Sequence, residues 1–412
     1  MSTKPYLTIA DADLRRTIMS HDPVVIASYA RTPMGGFQGA FANVKATDLG
    51  AAAVEAARAR AAVAPDLIER IYMGCVLPAG LGQAPARQAA LSAGLPQSVE
   101  ATTVNKMCGS GMQAAIMAYD ALAAGSVDVA IAGGMESMTN APYALPKHRG
   151  GARIGHDRII DTMMMDGLED AYEPGKAMGV FAEDAARDYQ FTRAQQDDFA
   201  IRSLGRANAA IASGAFAREI APVTVGNRGG DVVVDTDEQP GKAKPERIPT
   251  LKPAFIKDGT ITAANASSIS DGAAALVMTR QSVAQKLGLP VVARVIATAA
   301  HAHEPAKFTT APVPAIRKLL AKAGWDVSDV DLFEINEAFA LVPMIAARDL
   351  GISEDRLNVN GGATALGHPI GASGARILAT LLGALELRGL KRGVASLCIG
   401  GGEATAMAVE LV

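Results

Sequence analysis

The feature that most narrows what this chain can fold into is an internal repeat. The run CGSGMQAAIMAYDALAAGSVDVAIAGGMES, beginning at Cys108, can be laid over GASGARILATLLGALELRGLKRGVASLCIGGGEAT, beginning at Gly371, with only small length differences. Each copy reads as a Gly-rich turn, a helix stopped by a glycine suited to a C-cap, and an apolar strand that ends in paired glycines. The likeness extends upstream, where DLGAAAVEAARARAAVAPDLIERIYMGCV and PAIRKLLAKAGWDVSDVDLFEINEAF both read helix, turn, strand. Two copies of an alternating β/α unit with continuous apolar strands imply a duplicated α/β domain whose sheets are mostly parallel and covered by helices.

Between the copies, from about Met138 to Thr262, the pattern changes to irregular, charged sequence with Gly and Pro, such as GGDVVVDTDEQPGKAKPERIP. This is read as an insertion. One helix within it, FTRAQQDDFAIRSLGRANAAIASG, has Thr192 at the N-cap position and Gln195 three residues on, the spacing of a capping box. Insertions at strand ends of α/β proteins often build substrate pockets. A solvent-covered lid without chemistry fits the same residues equally well. The expected organisation is an N-terminal extension over 1–23, a first half over 24–285 that includes the insertion at 138–262, and a second half over 286–412.

Composition removes several classes of function. A chain of 412 residues with 49% hydrophobic residues can bury two or three packed units. Its 20% charged residues and net charge of −3 give no basic field for nucleic acid or an anionic membrane, and 4% aromatic residues offer no stacking platform for bases. Three cysteines, Cys75, Cys108 and Cys398, form no CxxC pair, so neither a disulfide framework nor a zinc site is expected. A reducing, cytoplasmic setting is. The opening MSTKPYLTIADADLRRTIMSHDP has no apolar run of signal-peptide length, and its DADLRR is acidic where a transit peptide avoids acids. It reads as a short extension lying on the surface.

Four motifs can carry chemistry. Cys108, in VNKMCGSGMQAAIMA, opens an apolar helix, where the partial positive charge and free N–H groups of a helix N-terminus are expected to lower the thiol pKa and supply a nucleophile. A buried structural cysteine fits the motif as well. His368 lies in NVNGGATALGHPIGASGAR, at the repeat position that corresponds to the Cys108 loop, so a pseudo-twofold would bring both loops to one place. Cys398, in CIGGGEATAMAVE, ends a buried strand before three glycines whose N–H groups can face a developing oxyanion. A core cysteine before a tight turn is its plain alternative. Asn336, in EINEAFAL, reads either as an N-cap or as a polar group that holds a water. Cys75, in IYMGCVLP, has a strand setting with no Gly-rich loop after it and is read as structural.

Together NKMCGSGMQA, NEAFA, NGGATALGHPIGASGAR and CIGGGEATAMAVE, with GGMESM and AANASSISDGAAA, resemble the thiolase family in order and spacing from about Val24 to Val412. The resemblance implies two βαβαβαββ-type halves in a five-layered α-β-α-β-α core, an inserted loop domain, and a homodimer or homotetramer. It implies that Cys108 is acylated with His368 as its base, and that Cys398 moves the proton of the acetyl methyl group. His368 with a water on Asn336 would hold one oxyanion, and the N–H groups of Cys108 and Gly400 another. The implied substrates are acetyl-CoA, 3-ketoacyl-CoA and CoA, with no cofactor or metal, and the reaction is reversible condensation of two acetyl-CoA or thiolysis of a 3-ketoacyl-CoA.

Ser267 matches the family serine that contacts pantetheine and Met178 the residue near the acyl pocket, while the stretch that usually supplies a cation to the CoA phosphates is altered here, with Lys242 and Lys244 in a Pro-rich segment as its substitutes. The chain departs from the short-chain pattern His-Met-Gly at Ala177, which opens the question of a longer acyl group unless Lys176 compensates. A longer-chain degradative enzyme and an idle CoA-binding subunit are the competing readings. A ketoacyl synthase of similar fold would not need the proton-moving Cys398.

Overall fold

Each half of the chain lays down strands and helices in one order, and the structure, a computed structural model describing residues 22–227 and 229–412, sets the two side by side. The first half runs β1 (Val24–Arg31), α1 (Ala46–Ala61), β2 (Arg70–Gly74), α2 (Pro85–Ser92), β3 (Glu100–Val104), α3 (Ser110–Ala123) and β4 (Val129–Ser137). The insertion follows with α4 (Met178–Asp188) and α5 (Arg193–Ala212), and β5 (Ser270–Arg280) closes the half. The second half runs β6 (Ala293–Ala302), α6 (Pro312–Ala323), β7 (Leu332–Ile335), α7 (Leu341–Leu350), α8 (Ser373–Arg388), β8 (Arg392–Ile399) and β9 (Glu403–Leu411). The proposed 1–23 extension lies almost wholly outside the described residues.

Strand order confirms the duplication. The first half is arranged β3-β2-β4-β5-β1 and the second β7-β8-β9-β6, with the counterpart of β3 reduced to one parallel bridge from Leu357 to Phe333. The halves join where β1 meets β6 antiparallel, Val25 opposite Arg294 and Ile26 opposite Ala293. The pairs β2–β3, β2–β4 and β7–β8 are parallel. The pairs β1–β5, β4–β5, β8–β9 and β6–β9 are antiparallel. The expected mostly parallel sheets are thus corrected to mixed ones. A parallel neighbour needs a crossover helix, and the last strand of each half has none: β9 follows β8 through a glycine turn, and β5 returns directly from the insertion.

Alternation along the strands separates the helix layers. On β5, Ala274, Leu276 and Met278 face the central helices α3 and α8, while Ala273, Ala275 and Val277 face α1 and α2. On β9, Met407 and Val409 face the centre, while Ala404, Ala406 and Ala408 face α6 and α7. The result is helix, sheet, helix pair, sheet, helix. Because α8 lies between two sheets, it is buried from Ser373 to Leu385, as an all-round apolar helix must be. The insertion is tied to β1 by Arg31, which is fully buried and pairs with Glu219 at 2.9 Å and Asp237 at 2.7 Å. The capping box of α5 forms as its sequence predicts, with Thr192 accepting from the Gln195 N–H.

Candidate active site

The chain turns sharply between β3 and α3. Met107 takes a left-handed conformation at φ 47°, with its N–H held by Asn105 Oδ1 at 3.1 Å. Ser110 Oγ donates to the Met107 carbonyl at 2.6 Å and accepts the Lys106 N–H at 2.8 Å. This turn places Cys108 in a recess where the residue is half-buried among apolar neighbours, Leu77 and Ile370 among the cluster it packs on.

The amides of Gly400 and of Cys108 itself face the sulfur and favour the thiolate. Burial outweighs them and pushes the thiol up to about 11. The expectation of a pKa lowered by the helix N-terminus is therefore corrected: Cys108 rests as the thiol, and a base must take its proton.

The two helix N-termini that bear the site meet through glycines. A Cβ on Gly74 would lie 2.4 Å from the Gly371 carbonyl oxygen, one on Gly134 2.1 Å from the same atom, and one on Gly374 2.2 Å from the Met112 nitrogen. Only glycine permits this approach, and it sets the His368 loop beside the Cys108 turn. Glu136, fully buried, locks the junction by accepting the N–H groups of Val76 at 2.9 Å, Leu77 at 3.1 Å and Gly371 at 2.8 Å. Its carboxyl is raised by burial to about 7 despite those donors. The Cys75 thiol lies 3.6 Å from Glu136, which accounts for that cysteine structurally.

The proton of the His368 ring is assigned by the shorter of two contacts at Nδ1, Ser373 Oγ at 2.6 Å, since Asn336 Nδ2, itself a donor, stands off at 3.4 Å. Ser373 Oγ has one hydrogen and donates it to the Pro369 carbonyl at 2.9 Å, so it accepts from His368 Nδ1 at 2.6 Å. Nδ1 therefore carries the hydrogen, and Nε2 is bare, buried and without a partner among the described residues. Burial, then the nearby Arg376, pushes the imidazole down to about 3, so it is neutral at rest.

Asn336 sits at the end of β7 with its N–H on the Ser396 carbonyl at 3.0 Å. It caps no helix, since α7 begins at Leu341 after Ala340. Its Oδ1 accepts from Arg376 Nη2 at 3.3 Å, and Nδ2 comes within 3.4 Å of His368 Nδ1. Arg376 in turn pairs with buried Glu334 at 3.2 Å.

Cys398 is buried one residue before the end of β8, opposite Ala404. Burial first, and then negative charge on Cys108, raises its thiol. That second cause places the two sulfurs in one electrostatic site. Gly400 follows, and a Cβ there would touch Met178 Cε at 3.6 Å, so Met178 lines the same wall. Ser267 donates its N–H to the Ala338 carbonyl at 3.0 Å, and the Ser268 carbonyl accepts from the His368 N–H at 3.2 Å. The serine loop thus bridges NEAFA and the histidine loop.

From Ser268 a cleft of about 530 Å³ runs between α5, the 239–251 segment of the same insertion, and Thr364 and Ala365 of the second half, past Lys242, Lys244 and Arg247. Lys242 pairs with Glu238. Lys176 does not fill the space beside Ala177: its Nζ lies 3.9 Å from the Phe181 ring centroid and 3.1 Å from Glu173.

Sequence reasoning missed Ser373, Arg376, Glu334 and Glu136. The repeat itself held the signal for Ser373, because CGSG over GASG aligns it with Ser110, and both serines bond back to a carbonyl of their own turn.

The thiolase N-terminal domain matches residues 24–282, and the thiolase C-terminal domain matches residues 289–411. The chain belongs to the thiolase family. Among curated relatives it is similar to acetyl-CoA acetyltransferase 2 of Arabidopsis thaliana, 52% identical over 94% of this chain and 97% of that one. It is also similar to the acetyl-CoA acetyltransferase of Rhizobium meliloti, 49% identical over 95% and 100%. Among solved thiolase structures, the Bacillus anthracis acetyl-CoA acetyltransferase superposes with a TM-score of 0.92 at 40% identity, covering 95% of this chain and 99% of that one. The Acat5 thiolase from Ascaris suum, in complex with coenzyme A, gives 0.90 at 42% identity over 95% and 100%.

Proposed function

We propose that this thiolase condenses two acetyl-CoA to acetoacetyl-CoA and CoA, and runs the reverse thiolysis of 3-ketoacyl-CoA, through an acyl-Cys108 thioester. The observation that carries this reading is the bare His368 Nε2, buried without a partner among the described residues, on the loop that the Gly371 contacts set beside the turn of the Cys108 thiol.

In the first half-reaction His368 Nε2 takes the Cys108 proton as Sγ attacks the thioester carbonyl. The oxyanion lies at the amides of Cys108 and Gly400. The C–S bond to CoA then breaks, and the leaving thiolate takes the Cys398 proton. In the second, the Cys398 thiolate takes a proton from the methyl group of a second acetyl-CoA, a task suited to a thiol whose pKa burial has raised. The enolate oxygen is held by the His368 imidazolium and a water on Asn336. The enolate carbon attacks the acyl carbonyl, the bond to Cys108 breaks, and His368 returns the proton to Sγ.

Coenzyme A enters as substrate, with its pantetheine along Ser267 and Met178 and its phosphates toward Lys242, Lys244 and Arg247. No cofactor or metal has a part in this reading. Among the described residues no helix is long and apolar enough to cross a membrane. The free thiols suit a cytoplasmic enzyme, and a homodimer or homotetramer is the expected assembly.

Ala177, with Lys176 turned to Phe181, favours a second reading in which longer 3-ketoacyl chains are accepted. Thiolysis of acetoacetyl-CoA beside a longer 3-ketoacyl-CoA separates the two. A higher kcat/KM for acetoacetyl-CoA makes this a short-chain acetyltransferase; a higher value for the longer substrate makes it a degradative acyltransferase.

A further inference from the structure

The recess that holds Cys108 is built from both halves of the chain. The Cys108 turn belongs to the first half, and the Gly400 amide that faces Sγ belongs to the second. Two contacts span the seam beside that pair. One is steric: a Cβ on Gly109 would lie 2.3 Å from Ile399 Cδ1, so the turn rests on the residue before Gly400. The other is an ion pair from Lys106 Nζ to Glu403 Oε2.

Both residues of that ion pair are held by backbone pairings or hydrogen bonds within their own halves. Glu403 closes the turn formed by Gly400, Gly401 and Gly402, with its backbone paired to Ile399 on one side and Ala302 on the other. Gly401 and Gly402 have φ of 93° and 87°, and the Gly402 carbonyl accepts from the His303 N–H at 2.9 Å. Lys106 gives its N–H to Ser110 Oγ at 2.8 Å, and its carbonyl accepts the Gly109 N–H at 3.0 Å. Each end is therefore rigid in its own half, and the pair brackets Cys108 and Gly400. Its side chains are 25% and 36% exposed, so screening by water leaves it little to contribute to folding stability.

We propose that Lys106 and Glu403 are a positioning pair that holds the Gly400 amide on Cys108 Sγ across the seam between the halves. This rests on the reading of Cys108 as the acylated residue. An oxyanion donor acts only at hydrogen-bond range, and a displacement of about 1 Å can cost on the order of 100-fold in rate. A salt bridge between two rigid anchors is suited to prevent that displacement.

The test compares Lys106→Met, Glu403→Gln and the reversed pair Lys106→Glu with Glu403→Lys. The first readout is Cys108 alkylation by iodoacetamide as a function of pH, which needs no thiolase turnover and so stands even if the proposed activity fails. Glu403→Gln decides the matter by its sign. Loss of a nearby anion alone would ease ionisation of the thiol and speed alkylation below pH 10. Loss of the Gly400 donor makes ionisation harder, so the proposal predicts slower alkylation in both single variants and recovery in the reversed pair.

The second readout is acetoacetyl-CoA thiolysis, where kcat should fall about tenfold in the single variants with KM little changed, and recover in the reversed pair. Faster alkylation in Glu403→Gln, or failure of the reversed pair to recover while its unfolding midpoint matches wild type, would overturn the proposal. A rise confined to the KM for CoA in Lys106→Met, with Glu403→Gln unaffected, would make Lys106 a phosphate contact and would equally overturn it. If wild-type protein lacks thiolysis but the alkylation order holds, the functional reading fails and the positioning pair stands.

Discussion

At the scale of single residues, the site depends on one hydroxyl more than its size suggests. Ser373 fixes the hydrogen of His368 on Nδ1 by accepting it, which leaves Nε2 free to receive a proton. Ser373→Ala removes that acceptor and allows the other tautomer, with its hydrogen on Nε2 and no lone pair there for the proposed transfer from Cys108. The kcat for thiolysis should drop about 10²-fold, with the KM for CoA close to wild type, in steady-state assays. Ser373→Thr retains the acceptor and should recover part of the loss. Arg376 works from the other side. It orients Asn336 through Oδ1 and adds to burial in keeping the imidazole neutral at rest, and its own charge is compensated by Glu334.

At the scale of elements, the crossing of α3 and α8 controls the geometry. Gly134 on β4 touches the Gly371 carbonyl, so Gly134→Ala must push the start of α8 away from the sheet. The cost in folding stability should be about 1–3 kcal/mol by urea unfolding, and kcat should fall more than stability alone explains because the His368 loop moves with α8. Such contacts also mark what sequence could and could not reveal. The positions of Cys108, Cys398 and Asn336 at turn and strand ends were legible because each sits in a Gly-rich or strand-end motif, and that of the His368 loop because the repeat pairs it with the Cys108 turn. Glu136 was not, because it accepts from Gly371 across the duplicated fold, and nothing around it in GGMES announces that partner. Arg376 and Glu334 were hidden for the same reason: a charge becomes intelligible in an apolar stretch only once its buried counter-charge is known. The mixed sheets escaped the reading because β5 and β9 share the apolar look of parallel strands, and direction is set by connection rather than by composition.

At the scale of the whole molecule, duplication explains why the proposed site lies at the seam. The halves contribute equivalent helix N-termini, and the first half's insertion adds the wall that neither repeat possesses. That wall is fixed to the core through Arg31, Glu219 and Asp237, one residue before Glu238 and the segment that carries Lys242, Lys244 and Arg247 along the cleft. Replacing Lys244 and Arg247 together by Ala should raise the KM for CoA about tenfold and leave kcat near wild type. The difference should shrink at high salt, because exposed charges are screened over a Debye length of about 10 Å at 0.1 M. A change in kcat without a change in KM would place the phosphates elsewhere.

The central claim is that Cys108 carries the acyl group. The most direct measurement is peptide mass mapping of protein quenched in acid after brief incubation with acetyl-CoA, using wild type, Cys108→Ala and Cys398→Ala. The account predicts an acetyl adduct on the Cys108 peptide of wild type and of Cys398→Ala, and no adduct in Cys108→Ala. An acetyl group on Cys398 or another residue, or undiminished thiolysis in Cys108→Ala, would contradict it.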